Sequence, residues 1–348
     1  PSLPRALAAA GYRTAGFSAN PNVSAAFGYA DHFQSFDYLK AAQWVNPALV
    51  RVAALVANKL DLTEVPELYF IGGGELMIRA LDWMTEQGEE AFFTYLHLMD
   101  THAPYSPPTS HLARVTGSSD PAKDRRQHHL DRYDGGILYA DEVVSRLLAG
   151  IERLQLNRPT WIVLTSDHGE EHWEHGETGH RAKLYEELIR VPLIFAPVPS
   201  SPGRRSALPV SHIDIMPTIL DLAGAATGFH GEGTSLAPEI LGGTHPDPGP
   251  TLSETTDPPH LIVAARLPGA KYMVWVDTES RQIERELYFD LEADPGEQDP
   301  LSNGPRRETL EAAIRDHIVR LPTGSVEPSL PPLDPQTRER LRALGYLD

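Results

Sequence analysis

Short apolar runs alternate with amphipathic stretches over most of this chain, and the alternation predicts an α/β fold. Residues 91–98 (AFFTYLHL) and 161–166 (WIVLTS) have the apolar, β-rich composition of buried strands. Residues 133–156 between them repeat apolar side chains at the spacing of a helix with one core face. The strand–helix–strand order predicts a mostly parallel sheet flanked by helices.

Similar patterns predict further helices and strands before residue 91 and after residue 166. We predict helices at 3–10, 41–60 and 74–87, strands at 13–19 and 191–195, and a turn that becomes a helix within 210–224. The character changes after about residue 245. Here we predict strands at 261–267, 271–277 and 286–291, a helix at 306–321, a Pro-rich linker at 322–335 and a terminal helix at 337–344. The prediction is a large domain at 1–245 and a small α+β subdomain at 246–348.

Composition narrows the class of protein. The net charge of −18 argues against a nucleic-acid-binding surface, which needs a basic face. An anionic substrate stays open, because a bound cation can reverse the local field. The chain has no cysteine, which excludes disulfides, thiol nucleophiles and Cys-type zinc sites. No apolar run is long enough to span a membrane, and the compartment is open, with an extracytoplasmic or periplasmic site slightly favoured.

Side chains that can bind a metal or transfer a proton are most frequent in residues 167–180, DHGEEHWEHGETGH. This segment directly follows the predicted strand at 161–166. The carboxyl ends of strands are where an open α/β sheet places its ligands. Asp167 and His168 are therefore candidate metal ligands, and an Asp that caps a helix beside a surface His is the structural alternative. His168 to His172 also matches H-x-x-E-H, a zinc-protease pattern. That pattern requires a helix, whereas here it starts at a strand end, so we do not favour it.

Three other positions carry candidate chemistry. His102 follows the predicted strand at 91–98 and could donate to a bound oxyanion or protonate a leaving oxygen; an ordinary loop histidine is the alternative. Arg181 and Lys183 come just before a predicted helix, where a bound anion would suit them, and surface charge is the alternative. Together these groups fit a metal-assisted site for an anionic ester.

Several motifs, in this order and spacing, resemble the sulfatases of the alkaline-phosphatase superfamily over nearly the whole chain. They are LAAAGYRT at 7–14, LHLMDTHAPY at 96–105, LTSDHGE at 164–170, GH at 179–180, LYEE at 184–187, RVPLI at 190–194, VSHIDIMPTILD at 210–221, ELYFDLEADPGE at 286–297 and RLRALGY at 340–346. The resemblance implies an alkaline-phosphatase-like fold and hydrolysis of sulfuric esters. The substrate would be a sulfated small molecule or glycan.

The resemblance also implies roles for single residues. Asp167 and His168 correspond to two ligands of a divalent cation, usually Ca²⁺; many sulfatases have Asn at the second position, so an imidazole leaves Mg²⁺, Mn²⁺ or Zn²⁺ open. His102 resembles a histidine that contacts the sulfate group, and His180 one that lies near the substrate. Arg181 falls where other sulfatases have a sulfate-binding lysine, and Lys183 is a further candidate. We expect the six remaining acidic and histidine residues of 167–180 to support the site or lie on the surface.

One departure from the family pattern leaves alternatives open. Sulfatases use a formylglycine nucleophile made from Cys or Ser, upstream with an Asp pair that completes the metal site, and no such motif precedes Leu7. We expect the sequence to be a fragment of a sulfatase. The alternatives are a phosphoester or phosphonate hydrolase or phosphoglycerol transferase of the same superfamily, or a binding protein on a sulfatase scaffold without catalytic activity.

Overall fold

A computed structural model describes residues 2–39, 72–116, 125–199, 202–225, 231–244 and 249–321, together with Pro335 and Arg338. The chain divides into two compact units, one running to Thr160 and the other beginning at Trp161. The predicted helix at 41–60 lies outside the described residues, as do almost all of the predicted linker and terminal helix. The domain boundary near residue 245 stays a prediction.

The first unit is built on a parallel three-stranded sheet, as the strand–helix alternation predicts. Strand β1 (Arg13–Ser18) lies between β2 (Ser35–Tyr38) and β3 (Phe92–His97). The central strand is buried from Thr14 to Ser18, because strands cover its edges and the helices Leu3–Ala9 and Gly73–Gln87 pack against it. Helices accompany the sheet at Leu3–Ala9, Gly73–Gln87, Thr109–Thr116 and Arg125–Arg153.

The second unit begins with a strand pair and a small hairpin. Strand β4 (Thr160–Thr165) pairs with β7 (Leu193–Val198), while β5 (Glu171–His172) pairs antiparallel with β6 (Thr178–Gly179). A one-turn helix, Glu186–Ile189, lies between the hairpin and β7. Further along come a 3₁₀ turn at His212–Asp214 and helices at Ile215–Leu222 and Ala237–Ile240.

The same unit ends in an antiparallel sheet in the order β11-β10-β9-β8. The strands are β8 (Thr251–Asp257), β9 (His260–Leu267), β10 (Ala270–Asp277) and β11 (Ile283–Asp290), and the helix Arg307–Arg320 follows them. The predictions for the last three strands and the helix are confirmed; β8 was not predicted, because its sequence TLSETTD is almost wholly polar. No helix in the described parts of the chain has the length and apolar character needed to cross a membrane.

Apolar side chains pack on both faces of this antiparallel sheet. One face packs Val263, Tyr272 and Val274 against Leu310 and Ile314 of the last helix. The other face packs a second group, which consists of Leu184, Ile262, Ala264, Met273 and Phe289. Leu184 lies four residues after His180, so the antiparallel sheet buries the chain just beyond the segment 167–180.

Replacing Ile314 by Ala tests whether the last helix is held by its buried face. Ile314 is fully buried, so the substitution leaves a cavity and should lower the free energy of unfolding by about 2–5 kcal/mol. Val319 on the same helix is 77% exposed, and Val319→Ala should change stability by about 0.5 kcal/mol or less. Denaturant unfolding of both variants measures the difference, and equal losses would contradict this packing.

Candidate functional site

The segment Asp167–Gly169 leaves strand β4 and packs directly against the backbone of the helix Glu186–Ile189. The Gly169 N–H donates to the Leu188 carbonyl oxygen at 2.7 Å. A Cβ atom at position 169 would overlap the carbonyl oxygen of Glu187, so only glycine permits this close approach. The strand end is therefore fixed to the helix through main-chain atoms rather than through flexible side chains.

Asp167 and His168 direct ligand atoms into the same region. The Nδ1 atom of His168 lies 2.8 Å from the Gly169 carbonyl oxygen, and because a carbonyl only accepts, Nδ1 carries the proton. In the neutral ring Nε2 then carries the lone pair, and this atom lies 3.8 Å from Asp167 Oδ2. Metal–ligand distances are about 2.0–2.6 Å, so both atoms can reach one ion. The pair fits the metal-binding role that its sequence position predicts.

Two ligands are too few to make a complete metal site. Among the residues that the structure describes, no three or more His, Asp or Glu side chains come together in a way that could hold an ion. Two ligands alone bind a divalent cation weakly compared with the four to eight that proteins usually provide. Any complete site must therefore draw its remaining ligands from other groups.

His180 lies beside the same pair. Its ring centroid is 4.1 Å from that of His168, and its Nδ1 atom is 3.0 Å from Oε1 of Glu170. The Glu170 side chain is only 6% exposed, whereas that of His180 is 29% exposed. The hydrogen bond that His180 donates to Glu170 raises the pKa of His180, burial opposes this, and the charges of Glu170 and Asp167 add to the increase. The structure thus brings three of the predicted site residues together: Asp167, His168 and His180.

Glu171 organises the loop between Glu170 and His180 from the inside. Its side chain is 1% exposed. One carboxylate oxygen accepts the backbone N–H groups of His175 at 3.1 Å and Glu177 at 2.8 Å, and the other accepts the Lys183 ammonium at 2.8 Å. Burial acts to raise the pKa of Glu171, but Lys183 and the two N–H groups outweigh it, and the pKa is lowered. The Glu171 carboxylate is therefore ionised and holds the loop in shape through these three hydrogen bonds.

The two predicted substrate-binding cations differ in their surroundings. Lys183 lies 2.8 Å from Glu171 and 3.1 Å from Glu177, and it also donates to the His175 carbonyl oxygen. Arg181 has a side chain that is 73% exposed, with its Nε atom 3.9 Å from Glu177. Lys183 is thus held by carboxylates of its own loop, while Arg181 extends towards solvent. Their roles in substrate binding stay predictions.

His175 ties this loop to the antiparallel sheet. Its ring stacks on Tyr185 with centroids 3.5 Å apart and planes 4° from parallel. Its Nδ1 atom lies 2.6 Å from Glu187 Oε1, and its Nε2 atom lies 3.2 Å from the Glu297 carbonyl oxygen. Both ring nitrogens therefore face structural partners, and His175 supports the loop as expected for this part of the run.

A buried ion pair lies next to that contact. The Lys271 ammonium is 2.8 Å from Glu297 Oε1, and both side chains are fully buried. The other Glu297 oxygen accepts the backbone N–H of Glu186 at 2.6 Å, at the start of the one-turn helix. Burial raises the pKa of Glu297, and Lys271 and this N–H act against it. Sequence reasoning missed both residues, since nothing in their local pattern shows that they pair with each other.

The first unit holds the remaining predicted residue, His102. It follows β3, and its Nδ1 atom lies 2.6 Å from the Ala103 carbonyl oxygen, which assigns the proton to Nδ1. Nearby, Asp100 accepts the Gly73 N–H with both oxygens, and burial raises its pKa despite these bonds. His97 on the strand itself has a hydrogen-bond partner at each ring nitrogen, Tyr95 at Nδ1 and Asn20 at Nε2.

Comparison with known proteins identifies the family. A model of the sulfatase family matches residues 1–225, which is more than half of the chain. The chain belongs to the sulfatase family. The alkaline-phosphatase-like architecture predicted from sequence is confirmed by solved structures with the same fold.

Individual relatives cover the chain only in part. A Δ4,5-hexuronate-2-O-sulfatase of Bacteroides thetaiotaomicron is 26% identical over 60% of this chain and 44% of its own length. A choline-sulfatase of Rhizobium meliloti is 32% identical over 52% of this chain and 35% of its own length. The phosphonate monoester hydrolase SpPMH of Silicibacter pomeroyi has a TM-score of 0.63 at 18% identity, covering 92% of this chain and 79% of its own. The chain spans less than half the length of these two sulfatases.

Substituting Gly169 by Ala tests the close packing at the strand end. The added Cβ meets the Glu187 carbonyl oxygen, so the strand end and the helix must separate, which should cost about 1–3 kcal/mol of stability. Gly203 is the matched control, because a Cβ there meets nothing within 4 Å. Thermal unfolding of Gly169→Ala and Gly203→Ala gives the comparison. Equal melting temperatures would show that position 169 is not tightly packed.

The lowered pKa of Glu171 predicts an acid-sensitive contribution to stability. A depressed folded-state pKa gives stabilisation that is present above the unfolded-state value, about 4.3, and is lost as the pH falls through the folded-state value. We expect Glu171→Gln to cost about 1–3 kcal/mol at pH 7, because Lys183 and two backbone N–H groups lose an ionised acceptor.

Urea unfolding at pH 7 and at pH 3 to 4 measures this dependence. The gap between Glu171→Gln and the parent protein should narrow at the acid end, where the parent carboxylate also becomes neutral. Glu232 lies in an exposed turn, so Glu232→Gln serves as the control and should match the parent at both pH values. A gap that stays constant from pH 7 to pH 3 would contradict an ionised Glu171.

Proposed function

We propose that the protein containing this chain hydrolyses sulfate esters with the help of a divalent cation. The observation that carries this proposal is the cluster at the end of β4, where the Asp167 carboxylate, the His168 Nε2 atom and the His180 ring lie side by side. A hard anionic ligand, a neutral imidazole ligand and a proton-carrying group are the parts that hydrolysis of an anionic ester requires. Membership of the sulfatase family supports the same reaction.

Asp167 and His168 would hold the cation. When bound, the cation would act as a Lewis acid that neutralises charge on the ester's non-bridging oxygens. The Gly169 carbonyl keeps His168 in the tautomer that presents Nε2, as histidine ligands generally require. The family favours Ca²⁺, and the imidazole ligand keeps Mg²⁺, Mn²⁺ and Zn²⁺ as candidates.

The other predicted residues would act on the substrate. His180 would stabilise developing charge or protonate the leaving oxygen, and its raised pKa favours the protonated form needed for donation. His102 keeps its predicted contact with the sulfate group. Of the two cations, Arg181 suits substrate binding better than Lys183 does, because Lys183 is held by Glu171 and Glu177.

The substrate class follows from the relatives. The two sulfatases compared above are named for a sulfated hexuronate and for choline sulfate, so we propose a sulfated sugar or another sulfated small molecule. Phosphonate ester hydrolysis is the second candidate, because the phosphonate monoester hydrolase shares the fold. The nucleophile separates the two reactions: a Cys or Ser in the formylglycine motif belongs to a sulfatase, and a plain Ser or Thr to phosphoryl transfer. A binding protein without catalytic activity is the third candidate.

The product of the complete gene should cleave an aryl sulfate in a reaction that EDTA stops and a divalent cation restores. His180→Asn removes the proton-carrying group and should reduce kcat by about 10²–10⁴-fold. Asp167→Asn should weaken the apparent affinity for the added cation, while Glu232→Gln should leave both quantities unchanged.

The same assay separates the alternatives. Preferential cleavage of an aryl phosphate or phenylphosphonate would favour the phosphoryl or phosphonate reaction. Binding of sulfated ligands with no turnover of any of these esters, even with each cation added, would favour a binding protein and rule out the hydrolase.

A further inference from the structure

Glu170 is a buried carboxylate that follows Asp167 and His168 closely in sequence. Its side chain is 6% exposed, and Oε1 lies 3.0 Å from Nδ1 of His180, ten residues further along the chain. A carboxylate so little exposed to water needs hydrogen-bond donors, and the imidazole N–H is one of them. We propose that Glu170 is a positioning residue, which fixes the tautomer and orientation of His180 so that its Nε2 atom faces the substrate.

The direction of this hydrogen bond determines the tautomer of His180. An ionised carboxylate can only accept, so the Nδ1 atom of His180 must donate and therefore carries a proton. In the neutral ring the remaining nitrogen, Nε2, is then the one with a lone pair, and in the charged ring it holds the second proton. A free histidine in water favours the opposite tautomer, with its proton on Nε2, so this arrangement has to be imposed by the protein.

The backbone around His180 reinforces the contact with Glu170. Gly179 has φ of +92°, a conformation that side chains rarely adopt, and a Cβ at this position would lie 3.8 Å from Oε1 of Glu170. Gly179 also pairs with Glu171 across the β5–β6 hairpin, which places His180 at the end of a hydrogen-bonded strand. Position 180 is thus fixed through the backbone on one side and through Glu170 on the other.

Glu170 and Glu171 are adjacent but perform different tasks. Glu171 accepts two backbone N–H groups and the Lys183 ammonium, so it shapes the loop. Glu170 binds a ring nitrogen of His180, whose ring also contacts that of His168. A carboxylate that orients a histidine in this way typically changes activity by about 10–100-fold when it is removed. This inference rests on the proposed function only for its effect on turnover.

The first test reads the tautomer directly and uses no substrate. The ¹⁵N and ¹H NMR spectrum of the His180 ring, recorded at a pH where the ring is neutral and assigned by comparison with His180→Asn, should show the proton on Nδ1. In Glu170→Ala the proton should move largely to Nε2, while Glu170→Gln, whose amide oxygen still accepts, should retain much of the Nδ1–H form. A parent spectrum with the proton on Nε2 would overturn the proposal.

The second test measures turnover by the complete protein. Glu170→Ala should lower kcat for an aryl sulfate by about 10–100-fold with a small change in KM, and Glu170→Gln should recover part of the loss. Glu232→Gln is the exposed control and should match the parent. Unchanged kcat in Glu170→Ala would overturn the role in turnover. An equal loss in Glu170→Ala and Glu170→Gln, accompanied by a drop in melting temperature in both, would assign Glu170 a structural role instead.

These two readouts keep the inference separate from the proposed function. If the protein cleaves no sulfate ester, the proposed function fails, and the NMR comparison still decides whether Glu170 sets the His180 tautomer. If it cleaves sulfate esters but the tautomer does not respond to Glu170→Ala, the positioning role fails while the proposed function stands.

Discussion

The shape of the histidine-rich loop, residues 170–180, depends on one buried anion, the Glu171 carboxylate. An ionised side chain that is 1% exposed is stable only when donors surround it, and Glu171 finds three of them within its own loop and at Lys183. Because two of these donors are backbone N–H groups, the carboxylate sets the path of the main chain between His175 and Glu177. That path carries the chain back to His180. The position of His180, the candidate proton donor, therefore depends on the donors that neutralise the Glu171 carboxylate.

Charge neutralisation also joins this loop to the antiparallel sheet. Lys271 on β10 and Glu297 after β11 form an ion pair with both side chains fully buried, and Glu297 in turn accepts the first N–H of the helix Glu186–Ile189. The same helix accepts a backbone hydrogen bond from Gly169 at the end of strand β4. A buried ion pair adds little net stability over an apolar pair of the same size, yet losing one member leaves an unpaired charge inside the protein. The pair holds the Glu297 carboxylate in place as an acceptor for the first N–H of the helix.

The sequence was informative where a local pattern carries the structure. Apolar runs that stop at Asp-His-Gly or at Asp-Thr-His predicted both strand ends, and the helical spacing of residues 133–156 predicted the long helix, whose observed bounds are Arg125–Arg153. Strand β8 was missed because it is an almost wholly polar edge strand, stabilised by pairing with β9 rather than by its own pattern.

The different hydrogen-bond partners of Glu170 and Glu171 could not be predicted from the sequence either. The two residues are chemically identical neighbours, and only the strand β5, which begins at Glu171, sends their side chains to different partners. The Lys271–Glu297 pair likewise depends on tertiary packing, since nothing in the local sequence of either residue indicates that the other lies beside it.

The contact of His175 with the Glu297 carbonyl has a consequence for how the protein folds. The two residues are 122 positions apart in the chain, and the Glu186–Glu297 bond joins residues 111 positions apart. Contacts of such long sequence separation close large loops at a cost in chain entropy, and a high share of them is associated with slower folding. During synthesis the histidine-rich loop emerges from the ribosome well before residues 271–297 do. Its contacts with Glu297 can form only after that residue has been synthesised.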